Sequence, residues 1–188
     1  MSNITQDILS RNSYVRAAKE NAKRLFRDSV LLQKAGSWQS AAVLAVLAIE
    51  EMGKAYIEIW GVKNVAQKGK HPTHSQKQAA FFALLAANEL TEKNMKRLAS
   101  FGEGKMIREH GPYSEQMVHA RAGFYDDLRM VCTYSDREPI WPDEITGTFD
   151  AVLVDELHSF FQKGQVAGRR KIAIKFGAIL YENDFGHL

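Results

Sequence analysis

Ala41-Ala42-Val43-Leu44-Ala45-Val46-Leu47-Ala48-Ile49-Glu50-Glu51-Met52-Gly53-Lys54 is the stretch on which the fold turns. Its first half is apolar at every position, so a helix built from it has no face left for water and must be surrounded by other helices. The spacing predicts a central helix from Trp38 to Trp60, ended by Gly61. Its second half then places charge on the same lines. Glu50 and Lys54 stand four apart, in the order that favours an ion pair. Either the helix reaches solvent there, or the charges belong to a buried site and need partners. Gly53 bears on that choice, because a mid-helix glycine costs about 1 kcal/mol against alanine. Close approach of another helix or of a ligand would account for it.

On the N-terminal side, residues from about Asn12 to Ala35 form an amphipathic pattern, with Tyr14, Ala18, Ala22, Leu25, Ser29 and Leu32 on one stripe. Gly36-Ser37 separates it from the central helix. On the other side, Thr73-His74-Ser75-Gln76 is a capping box that opens a helix through about Glu89. A short helix is expected around Glu92–Ser100, and Gly102, Gly104, Gly111 and Pro112 mark irregular chain. Ser114–Thr133 reads as one helix, Pro139 and Pro142 as a loop, and Asp143–Lys163 as a further helix. A terminal helix is expected from about Gly168 to Tyr181. No stretch alternates with period two. The expectation is an all-α bundle in one domain, residues 1–188, with a core at about 12–163 and a basic C-terminal helix at about 168–181.

Composition narrows the classes. The chain is 45% hydrophobic and 25% charged, as globular proteins are, and a net charge of +3 points to no particular partner. The charge is unevenly spread, however: Lys63, Lys68, Lys70, His71, His74 and Lys77 form one basic stretch, and Arg169-Arg170-Lys171 with Lys175 another. Such patches suit phosphate, or are simply solvated surface. Cys132, the single cysteine, reads as a small core residue. The N-terminus lacks a secretory layout, and the run Ala41–Ile49 is far shorter than the roughly 20 residues needed to span a bilayer. A cytoplasmic protein is expected. Asp155-x-x-His158 is the nearest approach to a di-iron repeat and reads as helix surface, so neither a metal nor a cofactor is expected.

Two further pairs bear on chemistry. His74 and Lys77 stand three apart in the first turn of a helix, where free backbone N–H groups favour an anion and the field favours neutral imidazole. They are otherwise an exposed histidine and lysine. Arg121, with Tyr125 one turn on, falls within an apolar stripe, where it must snorkel to water or pair with a carboxylate or phosphate.

Taken in order, Ala45 to Lys54 resembles the Glu-Glu-x-Gly-Lys segment of AbiV-type abortive infection proteins, a branch of the HEPN superfamily. His74-x-x-Lys77 resembles that family's His-x-x-Lys, and Arg121-x-x-x-Tyr125-x-Asp127 its Arg-x-x-x-Tyr-x-Asp. The resemblance implies a HEPN-like helical bundle built on an antiparallel helix pair with additional helices, usually a homodimer. It also implies an antiphage abortive-infection effector: a toxin-like, metal-independent ribonuclease or an RNA-binding growth-arrest protein. A phage protein or an antitoxin is the protein partner it implies. Trp38, Trp60 and the Phe81-Phe82 pair are expected to supply the dimer's apolar surface.

On that reading Glu50, Glu51, Lys54, His74, Lys77, Arg121 and Tyr125 are the site. His74 moves the proton, the cations meet phosphate charge, the glutamates hold the cations or act as base, and Tyr125 orients a phosphate or the histidine. The chain departs from the superfamily's usual Arg-x(4-6)-His signature, since no arginine has a histidine at that distance. The alternative is a non-catalytic module that binds a nucleotide or protein and senses infection, with the charged cluster as a structural network.

Overall fold

The computed structural model describes residues 2–61, 71–90, 111–133 and 151–185. Among these are seven helices and no strand, so the protein is all-α. They are α1 (Ser2–Lys34), α2 (Trp38–Trp60), α3 (His74–Glu89), α4 (Ser114–Ala122), α5 (Phe124–Thr133), α6 (Ala151–Ala167) and α7 (Lys171–Phe185). The basic residues Lys63 to Lys70, the helix expected at Glu92–Ser100, Gly102 and Gly104, the Pro139–Pro142 loop and the stretch from Asp143 to Asp150 lie outside the described residues. No described helix is long and apolar enough to cross a membrane.

Gly36, in the left-handed region at φ 78°, turns α1 back onto α2. The pair is antiparallel: Ser29 near the turn donates to the Ala41 carbonyl at 2.7 Å, while Tyr14 far from it meets Lys54. Ala18, Ala22, Leu25 and Ser29 form the buried stripe of α1. Next, α3 opens with the expected capping box. Gln76 N donates to Thr73 Oγ1 at 3.2 Å, and Thr73 N donates to Gln76 Oε1 at 2.8 Å.

The expected central helix, α2, packs against α1, α3, α5, α6 and α7, and α3 is enclosed beside it. Every residue from Gln78 to Ala87 is buried, because α2, α4, α5, α6 and α7 all pack against it, whereas Leu44 and Leu47 of α2 are only partly covered. Phe81 and Phe82 are fully buried in this core and present no surface to a second subunit. At the far end of α3, Arg170 donates to the Asn88 carbonyl at 3.3 Å and to Asn88 Oδ1 at 2.9 Å. A guanidinium on the last carbonyls of a helix satisfies groups that have no partner within it.

Two further expectations are corrected. Ser114–Thr133 is not one helix: Gly123, at φ 84°, caps α4 and starts α5 in a new direction. An isolated glycine inside a helical pattern reads equally well as tolerated. His158, expected on a helix surface, is 6% exposed. Its Nε2 lies 2.7 Å from Ser29 Oγ, and that hydroxyl already donates its proton to Ala41, so the ring is the donor.

Burial lowers the pKa of His158 from its ordinary 6.5, with the Asp155 charge pulling weakly the other way. The unfolded chain therefore takes up this proton first as pH falls. Stability from this group is fully present above pH 6.5 and is lost progressively down to the folded value. The melting temperature of the wild type should fall between about pH 7.5 and 5.5. His158→Gln keeps a donor for Ser29 and should flatten that fall. An equally steep fall in the variant would remove His158 from the account.

Candidate active site

The site begins with a missing side chain. A Cβ on Gly53 would stand 1.8 Å from the Lys77 carbonyl oxygen, so the α2 and α3 backbones touch there. Another helix, not a ligand, explains this glycine. One turn earlier on each helix, the same approach brings Glu50 against His74.

Glu50 is 3% exposed, and both its oxygens are engaged. His74 Nδ1 lies 2.6 Å from Oε2, and Gln78 Nε2 donates to Oε1 at 2.8 Å. Gln78 sits four residues after His74 on the same face of α3 and is itself fully buried. A carboxylate only accepts hydrogen bonds, so the imidazole must donate from Nδ1. In the neutral ring the lone pair then lies on Nε2, on a side chain that is 43% exposed. Carboxylate, oriented imidazole and an open second nitrogen are the parts of a general acid–base.

Glu51 and Lys54 make a separate pair. The expected Glu50–Lys54 contact does not form, because the Glu50 carboxylate is turned to the donors on α3. Lys54 Nζ instead reaches both oxygens of Glu51 at 3.2 Å and lies 5.0 Å from the centre of the Tyr14 ring. Burial pushes the Lys54 pKa down, but the Glu51 hydrogen bond and charge, helped by Tyr14, outweigh it and leave it raised. Lys54 is a fixed positive charge. Lys77, half-buried one turn from His74, makes no ion pair with the described residues.

The rest of the expected set is dispersed. Arg121 is exposed, because Met117 and Ala120 form the buried side of α4. Tyr125 is 4% exposed and stacks on Phe82, with ring centroids 5.2 Å apart. Burial first, then the charges of Glu156 and Glu115, hold its phenol far above the ordinary tyrosine range, so it does not shuttle protons near neutrality. Burial likewise pushes the Cys132 thiol up to about 11, which suits a packing role and not a nucleophile.

In the place expected for Arg121 and Tyr125 stand Asp126 and Arg129. The Arg129 Nε and Nη2 donate to Asp126 Oδ1 at 3.2 and 2.5 Å. Carboxylate oxygens of Glu50 and Asp126 and a ring nitrogen of His74 all lie within 4.8 Å of one another. One imidazole and two carboxylates are donors that a divalent metal accepts. Here each is already engaged within the protein, Glu50 by His74 and Gln78, and Asp126 by Arg129. A metal would have to displace those bonds. The sequence signal for the Asp126–Arg129 pair is its spacing of three at a helix start, where an acidic residue is favoured. Without the turn at Gly123, that spacing says nothing about which helix the pair would face.

A family model, HEPN_AbiV, described as AbiV, matches residues 12–152. The match runs from within α1 through α5 and takes in both halves of the Glu50–His74 contact. No curated protein and no solved structure matches the chain.

Proposed function

The chain belongs to the AbiV family of HEPN proteins, and from that premise we propose that it is an abortive-infection effector that cleaves RNA without a metal. The observation that carries this reading is the 2.6 Å contact between buried Glu50 and Nδ1 of half-exposed His74. His74 Nε2 takes the proton of a ribose 2′-hydroxyl, and the 2′-oxygen forms a bond to the adjacent phosphorus. The bond from phosphorus to the 5′-oxygen breaks, and that oxygen leaves with the proton held by the His74 imidazolium, which returns the ring to its neutral form. The products are a 2′,3′-cyclic phosphate and a 5′-hydroxyl. Lys77, one turn along α3, and Arg129, paired with Asp126 beside the histidine, are the cations that meet the charge growing on the phosphate. Glu50 keeps the imidazole in the productive tautomer. The homodimer, a phage or antitoxin partner and the cytoplasmic location belong to the same proposal.

Expression in a bacterial host, following growth and bulk RNA, tests it. Growth arrest with fragments ending in cyclic phosphate is the expected result. Arrest with intact RNA would favour the second reading, a non-catalytic sensor. That reading draws support from Glu50 itself, both of whose carboxylate oxygens are satisfied, as in a structural ion cluster.

A further inference from the structure

Glu50 and Gly53 face α3, whereas Tyr56 of α2 faces α1 and the end of α6. There a cavity of about 190 Å³ opens, lined by Lys19, Lys23, Tyr56, Gln165, Gly168 and Arg169 over a floor of Met52. Among the described residues the lining holds three cations and no carboxylate.

Each cation is poorly compensated. Lys19 is half-buried, and its Nζ meets only the face of the Tyr56 ring, 5.0 Å from the centroid. Burial, and then the neighbouring Lys23, lower its pKa, as expected of an ammonium lacking a counter-ion. Lys23 is paired to Glu20 at 2.7 Å, but both are well exposed, and such pairs are weak and readily exchanged. Arg170 is spent on Asn88, whereas the Arg169 guanidinium makes no hydrogen bond or ion pair with the described residues. The remaining lining adds donors. Gly168 lets the Tyr56 hydroxyl in: a Cβ there would stand 1.7 Å from it. That hydroxyl makes no hydrogen bond with the described residues. Gln165 brings a side-chain amide.

Two ammonium groups, a guanidinium, a phenol and an amide around a small space are the chemistry that recognises a phosphate group. Pockets for drug-sized ligands run to about 300–1,000 Å³. This one is smaller and takes the phosphate, leaving any attached nucleoside outside. We propose that it is a phosphate-binding site, separate from the His74 centre and independent of whether His74 is catalytic. The phosphate comes either from the end of a phosphorylated molecule or from a phosphodiester of an RNA strand.

Calorimetric titration with inorganic phosphate, at ionic strength held constant with chloride, tests it on the full chain. Wild-type protein should bind phosphate saturably. Lys19→Met keeps the apolar stem against Tyr56 and removes the charge; Arg169→Gln removes the second cation at an exposed position. Each should weaken binding about ten-fold or more while melting in phosphate-free buffer stays unchanged. Should Lys19→Met fail to fold, Arg169→Gln decides alone. Displacement of phosphate by 5′-phosphorylated single-stranded RNA, but not by its 5′-hydroxyl counterpart, identifies a terminal phosphate. Equal displacement by both identifies a phosphodiester. No saturable binding by the wild type, or equal binding by wild type and variants, would overturn the proposal.

Discussion

Replacing His74 by alanine is expected to slow RNA cleavage by about a hundred- to ten-thousand-fold, the usual cost of losing a general acid or base. Toxicity on expression should disappear with it. The contact with Glu50 complicates the effect on folding. A first-turn histidine in open water would contribute little to stability, but this one supplies a donor to a carboxylate that is 3% exposed. Removing that donor costs about 1–3 kcal/mol unless water takes its place. His74→Gln separates the two effects. Its amide can still donate to Glu50 but cannot exchange a proton near neutrality, so stability should stay closer to wild type while activity is lost. If His74→Gln cleaves RNA at the wild-type rate, the imidazole is not the proton carrier. The rate of the wild type should also be unchanged by EDTA. Activity lost to the chelator and restored by a divalent cation would instead assign Glu50, His74 and Asp126 to a metal.

Gly53→Ala should be the most damaging small substitution in the core. In an ordinary helix interior the change would stabilise by about 1 kcal/mol. Here the added methyl lies 1.8 Å from the Lys77 carbonyl oxygen, and the obstruction is backbone, which no rotamer change relieves. The two helices must part. Overpacking costs typically about 1–3 kcal/mol and occasionally more, and for a chain of this length each kcal/mol moves the melting temperature by about 2–4 °C. A fall of roughly 5–10 °C is expected. Because His74 lies one turn from Lys77, the contact with Glu50 loosens and activity falls as well. A variant that melts at or above the wild-type temperature would refute the close approach and, with it, the geometry of the site.

The elements legible in the amino-acid sequence are those specified by local chemistry. The apolar run into Glu50 gives α2, Gly61 its end, and the Thr73–Gln76 box the start of α3. His74 and Glu50 stand out because charge interrupts a pattern that packing alone explains. Their pairing is not legible, since periodicity identifies a face but not the helix that covers it. For the same reason spacing assigns Lys54 to Glu50, although Glu51 is its partner. Asp126 and Arg129 are hidden by Gly123: as one straight helix, Ser114–Thr133 turns Arg121 inward, and the break turns Asp126 inward instead. His158 reads as surface because its partner, Ser29, lies on a helix far away in sequence.

The Arg170–Asn88 clasp has a consequence for where this chain can be shortened. It holds the end of α3 opposite His74, and α7 lies along the same helix, with Leu84 against Gly177. Both Arg170 and α7 come after residue 152, where the family match ends. The matched segment thus holds Glu50 and His74, while the contacts that steady the far end of α3 lie outside it. A fragment cut at residue 152 would keep both halves of the pair and lose that support.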